Sequence, residues 1–407
     1  MEKTRGRQPQ PGVAGRTALG TIPPSIWALG LGSMFMDASS ELVHSLLPIF
    51  MASGLGASML TIGIVEGVAE ATAAITKVFS GALSDVLGKR KFLLVCGYGL
   101  GAVTKPVFPL ATSIGWVFGA RFIDRLGKGI RGAPRDALVA DLTPPALRGA
   151  AYGLRQALDS VGAFAGPLLA VTLMIRFAND IRAVMWVAAA PAFIAVALLI
   201  VAVREPERHE PSQRVSLTLA AAARLPRRYW VVVAIGAVLT LARFSEAFLV
   251  LRALSVGFDI GHVPVVMVVM NVVYAGVAYP AGIAADRFSR RTLLVVGLAM
   301  LIAADLVLAA AKVPAQVLVG AAFWGAHMGL TQGLLSKLVA DASPVDLRGT
   351  TFGIFNLVSG GAVLLASVIA GALWSAIGAR ATFLAGATFA ALAAGGLLGP
   401  GKGTGSG

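Results

Sequence analysis

The chain has one cysteine, Cys96, and four histidines in 407 residues. A single thiol excludes an intrachain disulfide and argues against a thiolate metal site. Charge is scarce as well. Asp, Glu, Lys and Arg make up 13% of the residues, against roughly 25% in a soluble domain. Acidic residues are the scarcer sign, 20 against 34 basic, which leaves a formal charge of +14. In a chain this apolar, a basic excess reflects Lys and Arg held on one side of a membrane, so nucleic acid is not an expected partner. No cleavable signal peptide is evident, because the first apolar run is too long and follows a polar, Pro- and Gly-rich tail. There is no nucleotide-binding loop either. Around Gly127–Gly132, the run GKGIRG lacks the Gly-Lys-Ser/Thr ending of a P-loop. With no nucleophile–base pair at recognisable spacing, the chain is not expected to be an enzyme or to need a cofactor.

What fills the sequence is apolar, 57% of all residues. Runs of about 20 residues, the length of a bilayer crossing, occur twelve times, near 26–51, 58–83, 92–111, 114–140, 150–175, 181–203, 229–255, 263–284, 291–312, 315–340, 349–376 and 379–399. The one long polar stretch lies between the sixth and seventh. This predicts an all-α membrane protein of twelve transmembrane helices. Its parts are a cytoplasmic tail (1–25), a six-helix bundle (26–203), a cytoplasmic linker (204–228), a second bundle (229–400) and a flexible tail or tag remnant (401–407).

Basic residues orient the spans. Lys3, Arg5, Arg7 and Arg16 precede the first, and Lys89, Arg90 and Lys91 follow the second. Arg208, Arg214, Arg224, Arg227 and Arg228 crowd the linker, and Arg287, Arg290, Arg291 and Arg348 take the matching breaks of the second half. The opposite breaks hold chiefly Arg176, Arg182 and Arg380. Both termini are therefore expected in the cytoplasm.

The halves repeat. VADLTPPALRGAAYG from Val139 returns as VADASPVDLRGTTFG from Val339, an offset of 200. GALSDVLGKRK from Gly81 returns as GIAADRFSRR from Gly282, an offset of 201. Two halves in the same orientation form a parallel repeat, which places a substrate site at their interface near the midplane.

The fourth span is anomalous. Arg121, Asp124, Arg125, Lys128, Arg131, Arg135 and Asp136 share an arc of roughly 140° on a helix. A charge at the bilayer centre costs at least ~2.5–3.5 kcal/mol, so this face must turn inward, leaving Phe122, Ile123, Leu126 and Ile130 for the other side.

Taken together, the repeat and its loop motif resemble the major facilitator superfamily over essentially the whole chain. Gly81, Asp85, Gly88, Lys89 and Arg90 match the family's loop signature between helices two and three, and Asp286, Arg290 and Arg291 repeat it. The resemblance implies a latch for the outward-facing state. Gly153, Gly162, Gly166 and Pro167 resemble the fifth-helix pattern of proton-coupled antiporters, although Ala170-Val171 stand where that pattern has glycines. Arg125 through Ala133 resemble the fourth-helix motif, with Lys128 and Arg131 departing from it. The resemblance gives Arg125 a role in proton transfer.

The bases of the fourth span need counter-charges. Asp37, Ser40, Glu41 and His44 lie on one face of the first span, Glu66 and Glu70 on one face of the second, and Arg155 and Asp159 one turn apart on the fifth. The second half is sparser, with Arg243, Glu246, Asn271 and His327. One reading is a buried ion-pair network that fixes helix register. The other is that some carboxylates exchange protons as partners come and go. The proton-coupling candidates are Asp37, Glu41, Glu66, Glu70, Arg125 and Asp159. The substrate-cavity candidates are His44, Arg121, Asp124, Lys128, Arg155, Arg243, Glu246, Asn271 and His327. Asp37, Glu41 and His44 also offer a divalent-cation donor set, which competes with the guanidinium excess nearby.

The expectation is a monomeric secondary transporter in a bacterial-type inner membrane, exporting a small molecule with anionic character against protons. A metal or nutrient importer or uniporter on the same fold is the alternative, followed by a non-transporting sensor.

Overall fold

The computed structural model describes residues 22–205, 225–331, 334–344 and 347–398. Most of the linker and both chain ends fall outside the described residues, with the basic residues assigned there: Lys3, Arg5, Arg7, Arg16, Arg208, Arg214 and Arg224. Among the described residues the regular structure is entirely helical, without a strand.

The first half contributes α1 (Pro24–Ile49), α2 (Met59–Leu87), α3 (Arg90–Leu110), α4 (Ile114–Asp141), α5 (Arg148–Arg176), α6 (Ile181–Val187) and α7 (Ala189–Ala202). The second contributes α8 (Arg227–Leu241), α9 (Ala247–Ser255), α10 (Val265–Arg287), α11 (Arg290–Ala310), α12 (Pro314–Thr331), α13 (Leu334–Ala342), α14 (Arg348–Ala376) and α15 (Ala379–Leu398). Eight helical stretches among the described residues are long and apolar enough to cross a membrane. The 114–140 span is interrupted by charge rather than by a break. The 229–255 span is a discontinuous helix, because the backbone leaves helical geometry between α8 and α9, around Arg243–Ser245.

Local chemistry explains several ends. Ser58 caps α2, its hydroxyl accepting from the Thr61 N–H. The same helix stops at Gly88, which takes a left-handed backbone of φ +60°. Between α6 and α7 the Ala188 carbonyl accepts from the Ser39 hydroxyl at 2.6 Å. Two arginines clasp helix C-termini. Arg182 donates to the Pro109 and Ala111 carbonyls, and Arg252 donates to those of Leu308 and Ala311. Arg182, read from sequence as a loop charge, thus acts on the helix dipole.

The side of the molecule holding the start of α1 is called near here, and the opposite side far. On the far side one apolar core runs through both halves, joining Leu42, Leu46, Phe50 and Ile62 to Phe244, Phe248, Met267, Ala366 and Ala370. On the near side the core is split. Ile26, Leu29, Leu138 and Leu199 form a cluster within the first half, and Tyr229, Val233, Val339 and Phe355 form another within the second.

Helices α2 and α14 make the far-side seam. A Cβ on Gly63 would collide with the Ser367 carbonyl, and one on Gly67 would lie 3.0 Å from the Leu364 carbonyl. The Leu60 N–H donates to the Ser375 hydroxyl at 3.0 Å along the same line. Among the described residues, the apolar core joins the halves on the far side and divides between them on the near side.

Candidate functional site

Helix α4 lies between α2 and α3. Its Gly127 packs on the Gly97 backbone of α3, and its Gly129 packs on Thr76 and Ala73 of α2. That placement leaves Phe122 and Ile123 exposed, 40% and 41%, and turns the charged stripe inward. The stripe meets acids from three other helices, α1, α2 and α5.

Arg121 donates to the Glu66 carboxylate at 2.7 Å, both fully buried. Arg125 lies 3.3 Å from Glu70, and Arg131 lies 3.7 Å from Asp37 while stacking over the Tyr98 ring. Arg135 donates to the Ser33 hydroxyl and lies 3.6 Å from Asp159. Arg155 donates to Asp159 at 2.9 Å and lies 3.6 Å from Asp136. His44 stands between two carboxylates, Nδ1 3.5 Å from Glu41 and Nε2 3.7 Å from Glu66.

One member of the network lies outside every motif read from sequence. Lys105, 1% exposed on α3, donates to Asp124 at 2.8 Å and to the Ser40 hydroxyl at 3.1 Å. Its signal was present, since a lone lysine inside an apolar span is a functional or pairing residue by default.

The fifth-helix glycines bring Asp37 and Glu41 to this network. A Cβ on Gly162 would strike the Met34 carbonyl and lie 3.1 Å from the Asp37 Cβ. One on Gly166 would lie 2.6 Å from the Ala38 carbonyl and 2.7 Å from the Glu41 Cβ. The two glycines therefore permit α1 and α5 to touch along the acid-bearing face. Gly153, from the same motif, has open space around it.

Between the halves, on the near side of the seam, lies a cavity of about 510 Å³. Its walls include Asp37, Glu41, His44, Glu70, Arg125, Lys128 and Asp159 from the first half, and Arg243, Glu246, Asn271 and Tyr274 from the second. Glu66, Arg121, Asp124 and Arg155 form the layer behind the wall. His327 is absent from the walls. It is buried in the second half with Nδ1 2.9 Å from the Gly297 carbonyl.

Four lining carboxylates answer to a neighbour, Asp37 to Arg131, Glu41 to His44, Glu70 to Arg125 and Asp159 to Arg155. Lys128, Arg243 and Glu246 line the cavity without an ion-pair partner among the described residues. Arg243 flanks the break between α8 and α9 and Glu246 closes it, the kind of interruption at which a spanning helix can offer polar groups to a ligand. No group of three candidate metal ligands converges among the described residues. Both ring nitrogens of His44 face carboxylates, and Asp37 turns to Arg131.

The loop motifs sit on the near surface. Arg90 pairs with Asp141, and Arg290 pairs with Asp341. The first ties the start of α3 to the end of α4 and the second ties the start of α11 to the end of α13, each within its own half rather than across the seam. The side chains of Asp85 and Asp286 lie outside the described residues, so this motif is described through Arg90 and Arg290. Lys89 precedes α3 as its N-cap, and Arg291 lies in the first turn of α11.

One buried acid went unread in the sequence. Asp305 on α11 is fully buried, and neither oxygen makes a hydrogen bond among the described residues.

Comparison with known proteins follows the same outline. The profile of the Major Facilitator Superfamily matches residues 29–270 and 247–402. An uncharacterized MFS-type transporter of Methanocaldococcus jannaschii is 31% identical over 377 residues, covering 91% of this chain and 93% of its own. The inner membrane transport protein YajR of Escherichia coli is 25% identical over 378 residues, covering 89% and 80%. Among solved structures, a mutant of the nucleoside transporter NupG superposes with a TM-score of 0.76 at 13% identity, covering 91% of this chain and 98% of its own. At that identity the likeness is one of fold.

Proposed function

The chain belongs to the major facilitator superfamily, whose members are membrane transporters and not enzymes, and from that premise we propose that it exports a small molecule with an anionic group in exchange for protons. In this reading twelve helices cross a bacterial-type inner membrane as two six-helix bundles, 26–203 and 229–400, joined by the 204–228 linker. The protein acts as a monomer with both termini in the cytoplasm, and the near side is the cytoplasmic side.

The observation that carries the reading is the division of charge in the cavity. Lys128 from the first half and Arg243 from the second are the lining bases left without a carboxylate partner among the described residues. A substrate anion entering from the near side meets both. The paired carboxylates, Asp37 above all, supply the coupling. When substrate or helix movement draws a guanidinium away, the carboxylate loses its compensating charge and a proton takes that place. When the partner returns, the proton leaves. Rocking of the two bundles about the cavity then moves substrate and proton in opposite directions.

The test uses proteoliposomes that hold a pH gradient and a trapped pH-sensitive dye, challenged with a panel of small organic anions. A transported anion collapses the gradient, and Asp37→Asn abolishes that collapse while the protein stays folded. Unchanged proton flux in Asp37→Asn removes the role given to Asp37. Accumulation confined to right-side-out vesicles would make the protein an importer.

A further inference from the structure

Pro167 has no N–H, so in α5 the carbonyl four residues earlier, Ala163, receives no intrahelical donor. An unpaired carbonyl in a membrane interior is strongly disfavoured. The structure supplies a donor from the other half: the Asn271 side-chain amide on α10 donates to the Ala163 oxygen at 2.9 Å. Both residues line the cavity. The same stretch of α5 thus has two attachments. Its glycine face, Gly162 and Gly166, is pressed on α1 of its own half, and its proline-freed carbonyl is held by the opposite half.

The bond therefore reports how the halves are disposed. It forms while they are sealed on the far side, and any rocking that separates α5 from α10 must break it. Once broken, the Ala163 carbonyl stands open to the cavity as an acceptor that the helix itself cannot satisfy.

We propose that Asn271 is an inter-half positioning residue, whose amide occupies the carbonyl freed by Pro167 and holds the far-side-sealed conformation until the halves rock. The proposal rests on the alternating-access reading above. It gives the proline of the fifth-helix motif a function that needs the second half of the chain.

Non-additivity tests it, because an alanine at position 167 restores the missing N–H and satisfies Ala163 without help. The only native thiol is removed by Cys96→Ser. Thr112→Cys and Val313→Cys then place spin labels on far-side turns, one in each half, and the distance between them is measured without substrate. Asn271→Ala is expected to raise the far-side-open population by about five-fold, the factor one ordinary hydrogen bond carries. In the Pro167→Ala background the same change is expected to shift nothing. An equal shift in both backgrounds, or no shift with Pro167 present, overturns the proposal. Asn271→Leu, closer in size, replaces the alanine variant if thermal unfolding shows that variant misfolded. Failure of proton-coupled flux together with intact non-additivity would remove the transport reading and leave the inter-half coupling standing.

Discussion

Lys105 and Asp305 occupy equivalent places in the two halves, 200 residues apart, and meet opposite surroundings. Lys105 reaches Asp124 at 2.8 Å, whereas the repeat places Trp324 where Asp124 would be, and Asp305 makes no hydrogen bond among the described residues. The difference has a measurable consequence. Removing one member of a buried ion pair leaves an uncompensated charge and costs about 3–5 kcal/mol. Asp124→Asn is therefore expected to lower the thermal unfolding midpoint in detergent markedly. Asp305→Asn leaves no partner stranded, so its midpoint should stay the same or rise. A large loss in Asp305→Asn would show that the carboxyl has a partner in the folded protein. Arg125 and Arg135 differ in the same local way. Arg125 lines the cavity beside Glu70, and Arg135 is spent on Ser33 and Asp159 behind it. Arg125→Ala should therefore reduce transport more than Arg135→Ala, and equal losses would mean that cavity access is not what matters.

At the scale of the helix, α4 was readable because charge at a 3.6-residue period has one physical solution in a membrane, an inward face. Its partners on α1, α2 and α5 were readable for the same reason. In the second half the cavity candidates Arg243, Glu246 and Asn271 were readable as polar groups in apolar runs, but nothing in the spacing of Arg243 and Glu246 announces a broken helix. That break depends on tertiary contacts, such as the Ser245 N–H donating to the Ser367 hydroxyl at 3.2 Å. His327 illustrates the converse, since its place on the counterpart of α4 suggested the cavity and packing against Gly297 withdrew it. The glycine motif of α5 divides along the same line, because sequence gives spacing and only neighbours give need. Gly166→Val should therefore destabilise the protein severely, as even a Cβ meets the α1 backbone at 2.6 Å. Gly153→Ala, with nothing within 4 Å, should be neutral or stabilising by up to about 1 kcal/mol through helix propensity. The two are compared by yield and unfolding midpoint, and comparable losses would mean that spacing, not contact, makes the motif.

For the whole molecule the question is what holds the far side shut. Among the described residues the core is continuous through both halves on that side and split in two on the other, which makes the sealed conformation a packing minimum. Arg90–Asp141 and Arg290–Asp341 are each internal to one half, so neither opposes opening of the far side directly. The seam of α2 against α14 does. Its close approach depends on the absence of side chains at Gly63 and Gly67, and interiors packed at crystal density do not absorb an inserted isopropyl group without moving. Gly63→Val should therefore wedge the seam and drive the population toward the opposite conformation, even though neither Gly63 nor Gly67 belongs to a motif. The reporter is Ser160→Cys in the Cys96→Ser background, at a cavity-lining position, probed with a membrane-impermeant maleimide in vesicles of each orientation. With Gly63 intact, labelling should come from the near side. With Gly63→Val it should come from the far side. Gly99→Ala, a change at a glycine with nothing within 4 Å, should leave the pattern as it was. Labelling that remains near-sided in a folded Gly63→Val protein would mean that the apolar core alone keeps the far side closed and the seam merely follows it.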